Sequence, residues 1–98
     1  KHEDKIKIYI KDFNKEVKWK VFRIIRKDID PEYKVIDFLD IKWDFESDCA
    51  VIMIENDWDD EFMNDINKNS KIASIISTAF KEIYKYEGSF RFDPKFPF

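Results

Sequence analysis

Residues 38–62, FLDIKWDFESDCAVIMIENDWDDEF, restrict the possible folds more than any other stretch of the chain. Leu39, Ile41, Trp43 and Phe45 alternate with Asp40, Lys42, Asp44 and Glu46, the two-residue period of a strand with one buried and one wet face. Glu46-Ser47-Asp48 supplies a turn, and the return run Cys49 to Ile54 is apolar at every position. Such a run belongs in the middle of a sheet, covered on both faces. Together they predict a hairpin over roughly residues 35–56.

Two further strands are predicted before it. Ile6, Ile8 and Ile10 alternate with Lys5, Lys7, Tyr9 and Lys11, so residues 5–13 read as a half-buried strand. In residues 17–27 the inward set is Val17, Trp19 and Val21 against Lys18 and Lys20. Phe22, Ile24 and Ile25 then put apolar side chains on both faces, the mark of a bulge or of a strand turning central. The spacing predicts an antiparallel N-terminal hairpin. Asp30-Pro31-Glu32 reads as a turn, with a helix through Leu39 as its rival.

Helices follow. Asp59 or Asp60 caps a short one carrying Phe62, Met63 and Ile66, interrupted by Asn67, Lys68 and Asn69. From Ser70, read as an N-cap, Ile72, Ile75, Ile76, Ala79, Phe80 and Ile83 recur at three and four residues, with Lys71, Lys81, Glu82 and Lys85 opposite. Gly88, the only glycine, stands where a C-terminal cap is expected. In the tail, Phe90 and Phe92 alternate, and Pro94 and Pro97 permit only an edge strand. Its phenylalanines, Phe96 and Phe98 included, either close the core or pair with another copy, so the chain is expected to be a monomer or a homodimer. The fold expected is α+β: an antiparallel sheet of about four strands packed against a C-terminal amphipathic helix, with residues 1–98 forming a single domain.

With 98 residues, 44% of them hydrophobic, the chain has enough side chain for one core. Cys49 is the only cysteine, which excludes an intrachain disulfide and, in apolar surroundings, reads as an inert buried thiol suited to a reducing cytoplasm. No stretch approaches the ~18 apolar residues of a membrane span, and residues 1–4 lack the apolar run of a signal peptide.

Residue chemistry argues against an enzyme. His2 is the only histidine, which leaves no histidine-based nucleophile relay or zinc site. One glycine cannot build a phosphate-cradling loop. Asp57, Asp59, Asp60, Glu61 and Asp65 are oxygen donors, but their spacing matches no calcium loop. Neither a metal nor another cofactor is expected.

Charge is distributed in blocks. Residues 1–27 carry ten basic and four acidic side chains, residues 28–65 two and fourteen, and residues 66–98 six and three. In the acidic block, Trp58 sits among Asp57, Asp59, Asp60 and Glu61, with Asp40, Asp44 and Glu46 as a second patch. The plain reading is a solvated helix start, where the dipole favours carboxylates. The functional one is an aromatic anchor ringed by charge, a frequent composition of tight protein interfaces.

A small, catalytically empty, charge-segregated domain resembles in general type the immunity proteins and antitoxins that neutralise bacterial toxins, many of them nucleases; the likeness is carried by no motif. It implies a protein partner, a basic enzyme or toxin whose cleft takes carboxylates in place of phosphates. A phage-encoded inhibitor of host defence would use the same physics. Lys5, Lys7, Lys11, Lys18 and Lys20 with Tyr9 offer a rival nucleic-acid-binding face on the N-terminal hairpin. One tyrosine supports it thinly, and the acidic block argues against a polyanion.

Overall fold

The computed structural model describes residues 10–34, 40–55 and 60–95. The chain runs from helix α1 (Ile10–Asp28) into a hairpin of β1 (Asp40–Asp44) and β2 (Cys49–Glu55). Helices α2 (Asp60–Lys68) and α3 (Ser70–Ala79) follow, the latter prolonged by a π-turn over Phe80–Tyr84. Strand β3 (Ser89–Lys95) is the last described element. Among the described residues the architecture is α+β, three helices with a three-stranded mixed sheet in the order β1-β2-β3.

The largest departure from the sequence reading is α1. Phe13, Val17, Val21 and Ile25 recur every four residues, and all four are buried. That stripe turns slowly around an α-helix and faces the core throughout. Val17 and Val21 fit a two-residue and a four-residue period equally well, so the short alternation looks like a strand. Trp19 decides between them: half a helical turn from Val17 and Val21, it stands 51% exposed. The N-terminal hairpin is therefore absent over residues 10–28, with Asp12 in the first turn and Arg26 and Lys27 in the last favouring the helix dipole. Residues 5–9 of the expected first strand lie outside the described residues.

The turn after α1 forms as expected. The Ile29 and Asp30 amides both donate to the Ile25 carbonyl, the Tyr33 amide donates to the Asp30 carbonyl, and the Asp30 carboxylate accepts from the Glu32 amide. Arg26 Nε closes it on the Pro31 carbonyl at 2.9 Å. Residues 35–39, where a helix competed with a strand, lie outside the described residues.

The central hairpin is antiparallel, with Ile41 opposite Ile52 and Asp44 opposite Cys49. β1 ends at Asp44, so Phe45 joins the turn rather than the inward row, and Asp48 takes a positive φ of 52°, which aspartate tolerates better than most residues. On the other edge of β2, β3 runs parallel, Ala50 beside Phe90 and Ile52 beside Phe92. This corrects the expected all-antiparallel sheet of four strands: residues 17–27 supply no strand, and two intervening helices return the chain to the starting end of β2, where only parallel pairing is possible. Pro94 is tolerated because β3 is an edge strand among the described elements.

The inner face of the sheet, Ile41, Ala50, Ile52, Ile54 and Phe92, joins α1, α2 and α3 in one buried cluster. The helical layer is shared: α3 packs chiefly on α1, and α2 on β3. Helix α2 carries Phe62, Met63 and Ile66 inward as expected. Its Asn67 also serves the sheet. The Asn67 amide nitrogen donates to the Phe92 carbonyl at 3.0 Å, and its oxygen accepts from the Phe92 amide at 2.8 Å, so one side chain takes the place of a neighbouring strand at the exposed edge.

Asn69, not Ser70, caps α3. Its side-chain oxygen accepts from the Lys71 and Ile72 amides, each at 3.0 Å, while its nitrogen donates to Asp28 at the end of α1. With Lys71 3.5 Å away, these bonds hold the Asp28 carboxyl below the usual range, the Asn69 bond contributing most.

The far end of this helix is closed by Lys85, at φ 57°, and not by Gly88. The π-turn adds a residue before the chain leaves the axis, which moves the left-handed position forward. Gly88 is required for another reason, since a Cβ there would collide with the Tyr86 ring. Because a left-handed lysine carries a steric cost that glycine lacks, Lys85→Gly is expected to raise stability by up to ~1 kcal/mol in urea denaturation. Unchanged or lower stability would mean that the Lys85 side chain makes a compensating contact.

Candidate partner-binding surface

The outer face of the sheet carries charge along both margins. Residues opposite one another across strands share a face, which places Asp44, Cys49 and Ser89 in one row, Lys42, Val51 and Arg91 in the next, and Asp40, Met53 and Asp93 in a third. Arg91 does not stay in its row. From β3 it reaches across β2 to β1, a span of two inter-strand gaps of ~4.8 Å each. There Nη2 lies 3.0 Å from Asp44 Oδ2 and Nη1 lies 3.0 Å from Ser47 Oγ. Nε remains 3.2 Å from Asp93 Oδ1 on its own strand. Arg91 thus spans the row of Val51 and the next row of Cys49, which are 5% and 6% exposed.

Asp44 is the centre of this network. One carboxylate oxygen accepts from the Glu46 amide at 3.1 Å and the other from Ser47 Oγ at 2.7 Å. The Ser47 hydrogen bond, followed by that of Arg91, pulls its pKa down to about 2. Arg91 is correspondingly raised above its ordinary value, first by Asp93 and then by Asp44. The turn that these bonds fix presents Phe45, 78% exposed. An aromatic ring therefore stands in solvent with Asp44 and Glu46 on either side and Asp48 two residues beyond Glu46.

The sequence-predicted residues fall into separate places. Asp44 and Glu46 form the hairpin tip. Asp40 begins β1 at the other end of the strand, its carboxylate accepting from the Ile41 amide at 2.8 Å. Asp60 and Glu61 are exposed in the first turn of α2, beyond the end of β2 away from the tip. The seven residues of β2 separate the two patches by ~20 Å, so the fold does not merge them. Asp57, Trp58 and Asp59 lie outside the described residues.

Two residues went unrecognised in the sequence reading. Phe45 was assigned to the buried row, although its position directly before Glu-Ser-Asp marks it as a turn residue. Arg91 had no signal, because its partners lie 44 and 47 residues away in the chain. Of the lysines in the rival basic face, Lys5 and Lys7, with Tyr9, lie outside the described residues; Lys11 and Lys18 share one side of α1, and Lys20 lies on the other, 3.8 Å from Glu16.

Among the described residues, no group of three or more histidine, cysteine, aspartate or glutamate side chains is arranged to hold a metal ion. No described helix is long and apolar enough to cross a membrane. No family model matches the chain, and no curated protein or solved structure resembles it at a significant level.

The depressed Asp44 pKa fixes a pH dependence. Its stabilising contribution is fully present above the ordinary carboxylate value of 3.8 and is lost as pH falls through about 2. Asp44→Asn should therefore melt below the wild type at neutral pH, and the gap should narrow as the pH falls through that window. A gap of constant size would show that the carboxylate's charge is not what holds the turn.

Proposed function

We propose that this chain is a non-catalytic binding protein that neutralises a basic protein partner, in the manner of an immunity protein or antitoxin acting on a toxin. The observation that carries this reading is Phe45, 78% exposed at a turn where Glu46 and Asp48 supply negative charge and the Asp44–Arg91 pair supplies rigidity. An exposed aromatic carried on a braced turn loses less backbone freedom on docking than one on a loose loop, so more of its burial goes into affinity. Flanking carboxylates steer a basic partner and set its orientation. Asp40, Asp60 and Glu61 lie away from the tip and would widen the contact, and Asp57, Trp58 and Asp59 enter the proposal on the sequence argument alone. A nuclease is a fitting partner, because a cleft made for phosphates accepts carboxylates at similar positions.

The protein encoded by the neighbouring gene is the partner to test, by isothermal titration calorimetry at two salt concentrations. Phe45→Ala is expected to weaken binding by ~2 kcal/mol or more, and Glu46→Lys to slow association. Trp58→Ala should cost about as much if the second region takes part. Affinity unchanged by Phe45→Ala would remove the tip from the interface. Turnover of a substrate by the pure protein, abolished by neutralising these acids, would overturn the reading as a whole.

A further inference from the structure

We propose that the outward side of α1 is a binding site for single-stranded nucleic acid, with Trp19 as the stacking platform and Lys11, Lys15, Lys18, Arg23 and Arg26 as phosphate contacts. At 3.6 residues per turn Lys11, Lys15, Trp19, Arg23 and Arg26 share the half of the helix opposite Val17 and Val21, with Lys18 at its margin. They extend over ~22 Å of axis, each cation ~4.5–7.5 Å beyond the last, so successive phosphates of an extended strand each meet one. Asp12 and Glu16 are the acidic residues on that side, and Glu16 is paired with Lys20 at 3.8 Å.

Trp19 is not a loose surface ring. Its edge-to-face contact with Phe22, at 5.7 Å and 89°, begins an aromatic ladder. Phe22 lies 6.2 Å from Tyr33, and Tyr33 stacks on Phe62 at 5.2 Å and 19°. Phe62 belongs to the core. The indole is thereby backed by packed rings while half its surface stays in water. Lys18 approaches the Trp19 ring at 5.3 Å, and Arg26 the Phe22 ring at 5.3 Å, which keeps cations beside the π-surface on which a base would stack.

The chemistry selects among polyanions. A bilayer requires a helix to offer it an apolar stripe, and that of α1, Phe13, Val17, Val21 and Ile25, is already buried within the protein. Duplexes hide their base faces, leaving an exposed indole nothing to stack on. Protein interfaces are depleted in lysine, whereas three of the five cations here are lysines. The overall charge of −3 does not oppose the site locally: α1 carries seven basic and three acidic residues, and charges beyond ~8 Å are largely screened at physiological salt.

This site is independent of the Phe45 tip, and one experiment separates them. Fluorescence anisotropy of a dye-labelled oligouridylate, titrated with the full chain, should show saturable binding that weakens with salt, with a log–log slope of about −3. Trp19→Ala should weaken it about tenfold with little change in slope. Lys15→Glu combined with Arg23→Glu should flatten the slope by more than about one unit. Phe45→Ala should leave it unchanged. All four positions are partly or fully exposed, and circular dichroism verifies that each variant folds. Absence of binding at low salt, affinity indifferent to both α1 variants, tighter binding to the duplex, or binding to phosphatidylserine vesicles in place of the oligonucleotide would each overturn the proposal.

Discussion

A strand that is apolar at six consecutive positions must be covered on both faces and paired on both edges, and the rest of this molecule is arranged to do that for β2. Ala50, Ile52 and Ile54 have almost no exposed surface and join the core that the helices close. On the other face no described helix is available. There Arg91 crosses β2, because its guanidinium has partners on both flanking strands. One edge is occupied by the strand just before it in the chain, the other by a strand that returns after two helices. The Phe92 amide and carbonyl face away from β2, and α2 satisfies them through Asn67. Buried backbone groups left unpaired there would each cost ~1–3 kcal/mol, so the placement of α2 is set by hydrogen bonding as well as by Phe62, Met63 and Ile66.

The parts of this arrangement that were legible in the sequence are those decided by neighbours in the chain. The β1–β2 hairpin, the turn at Asp30, and the inward faces of α2 and α3 all follow from periodicity within a dozen residues. What escaped was decided elsewhere. Val17 and Val21 satisfy helix and strand periods alike, and only Phe13 and Ile25, at the two ends of the stripe, extend the four-residue spacing far enough to identify the helix. The direction of β3 is set by the two helices between it and β2, not by its own residues. Asn69 outcompetes Ser70 as the cap because the same side chain also reaches Asp28, 41 residues earlier. Of the site, the acidic character of Asp44 and Glu46 was readable from composition. Their use as a scaffold for Phe45 was not, since it depends on Arg91.

That dependence changes the meaning of the charges at the tip. An exposed carboxylate normally contributes little to stability, because water solvates it as well as a cation does. Asp44 differs in accepting from a backbone amide, a hydroxyl and a guanidinium together, which engages both of its oxygens and depresses its pKa. Its charge is therefore largely consumed within the protein, and the charge the turn shows to solvent rests on Glu46 and Asp48. Position and charge are divided between residues: Asp44 and Arg91 hold the turn that carries the ring, and the next two acids set the sign of its surroundings.

The same division holds on α1. There the hydrophobic requirement is met by Phe13, Val17, Val21 and Ile25, so the opposite side is released from any packing role. Sequence on a solvated helix face is constrained mainly by solubility, a condition that lysines satisfy and an exposed indole does not improve. The two exposed large hydrophobic side chains of the described surface, Trp19 and Phe45, stand in surroundings of opposite sign, one among lysines and arginines and the other among acids. An aromatic that merely failed to find a core position would have no reason to be backed by a ladder of rings in one case and braced by an arginine crossing two strands in the other. Support close to an exposed ring lowers the entropy lost when that ring is covered, and both proposed surfaces have it: packed rings beside Trp19 and a braced turn carrying Phe45.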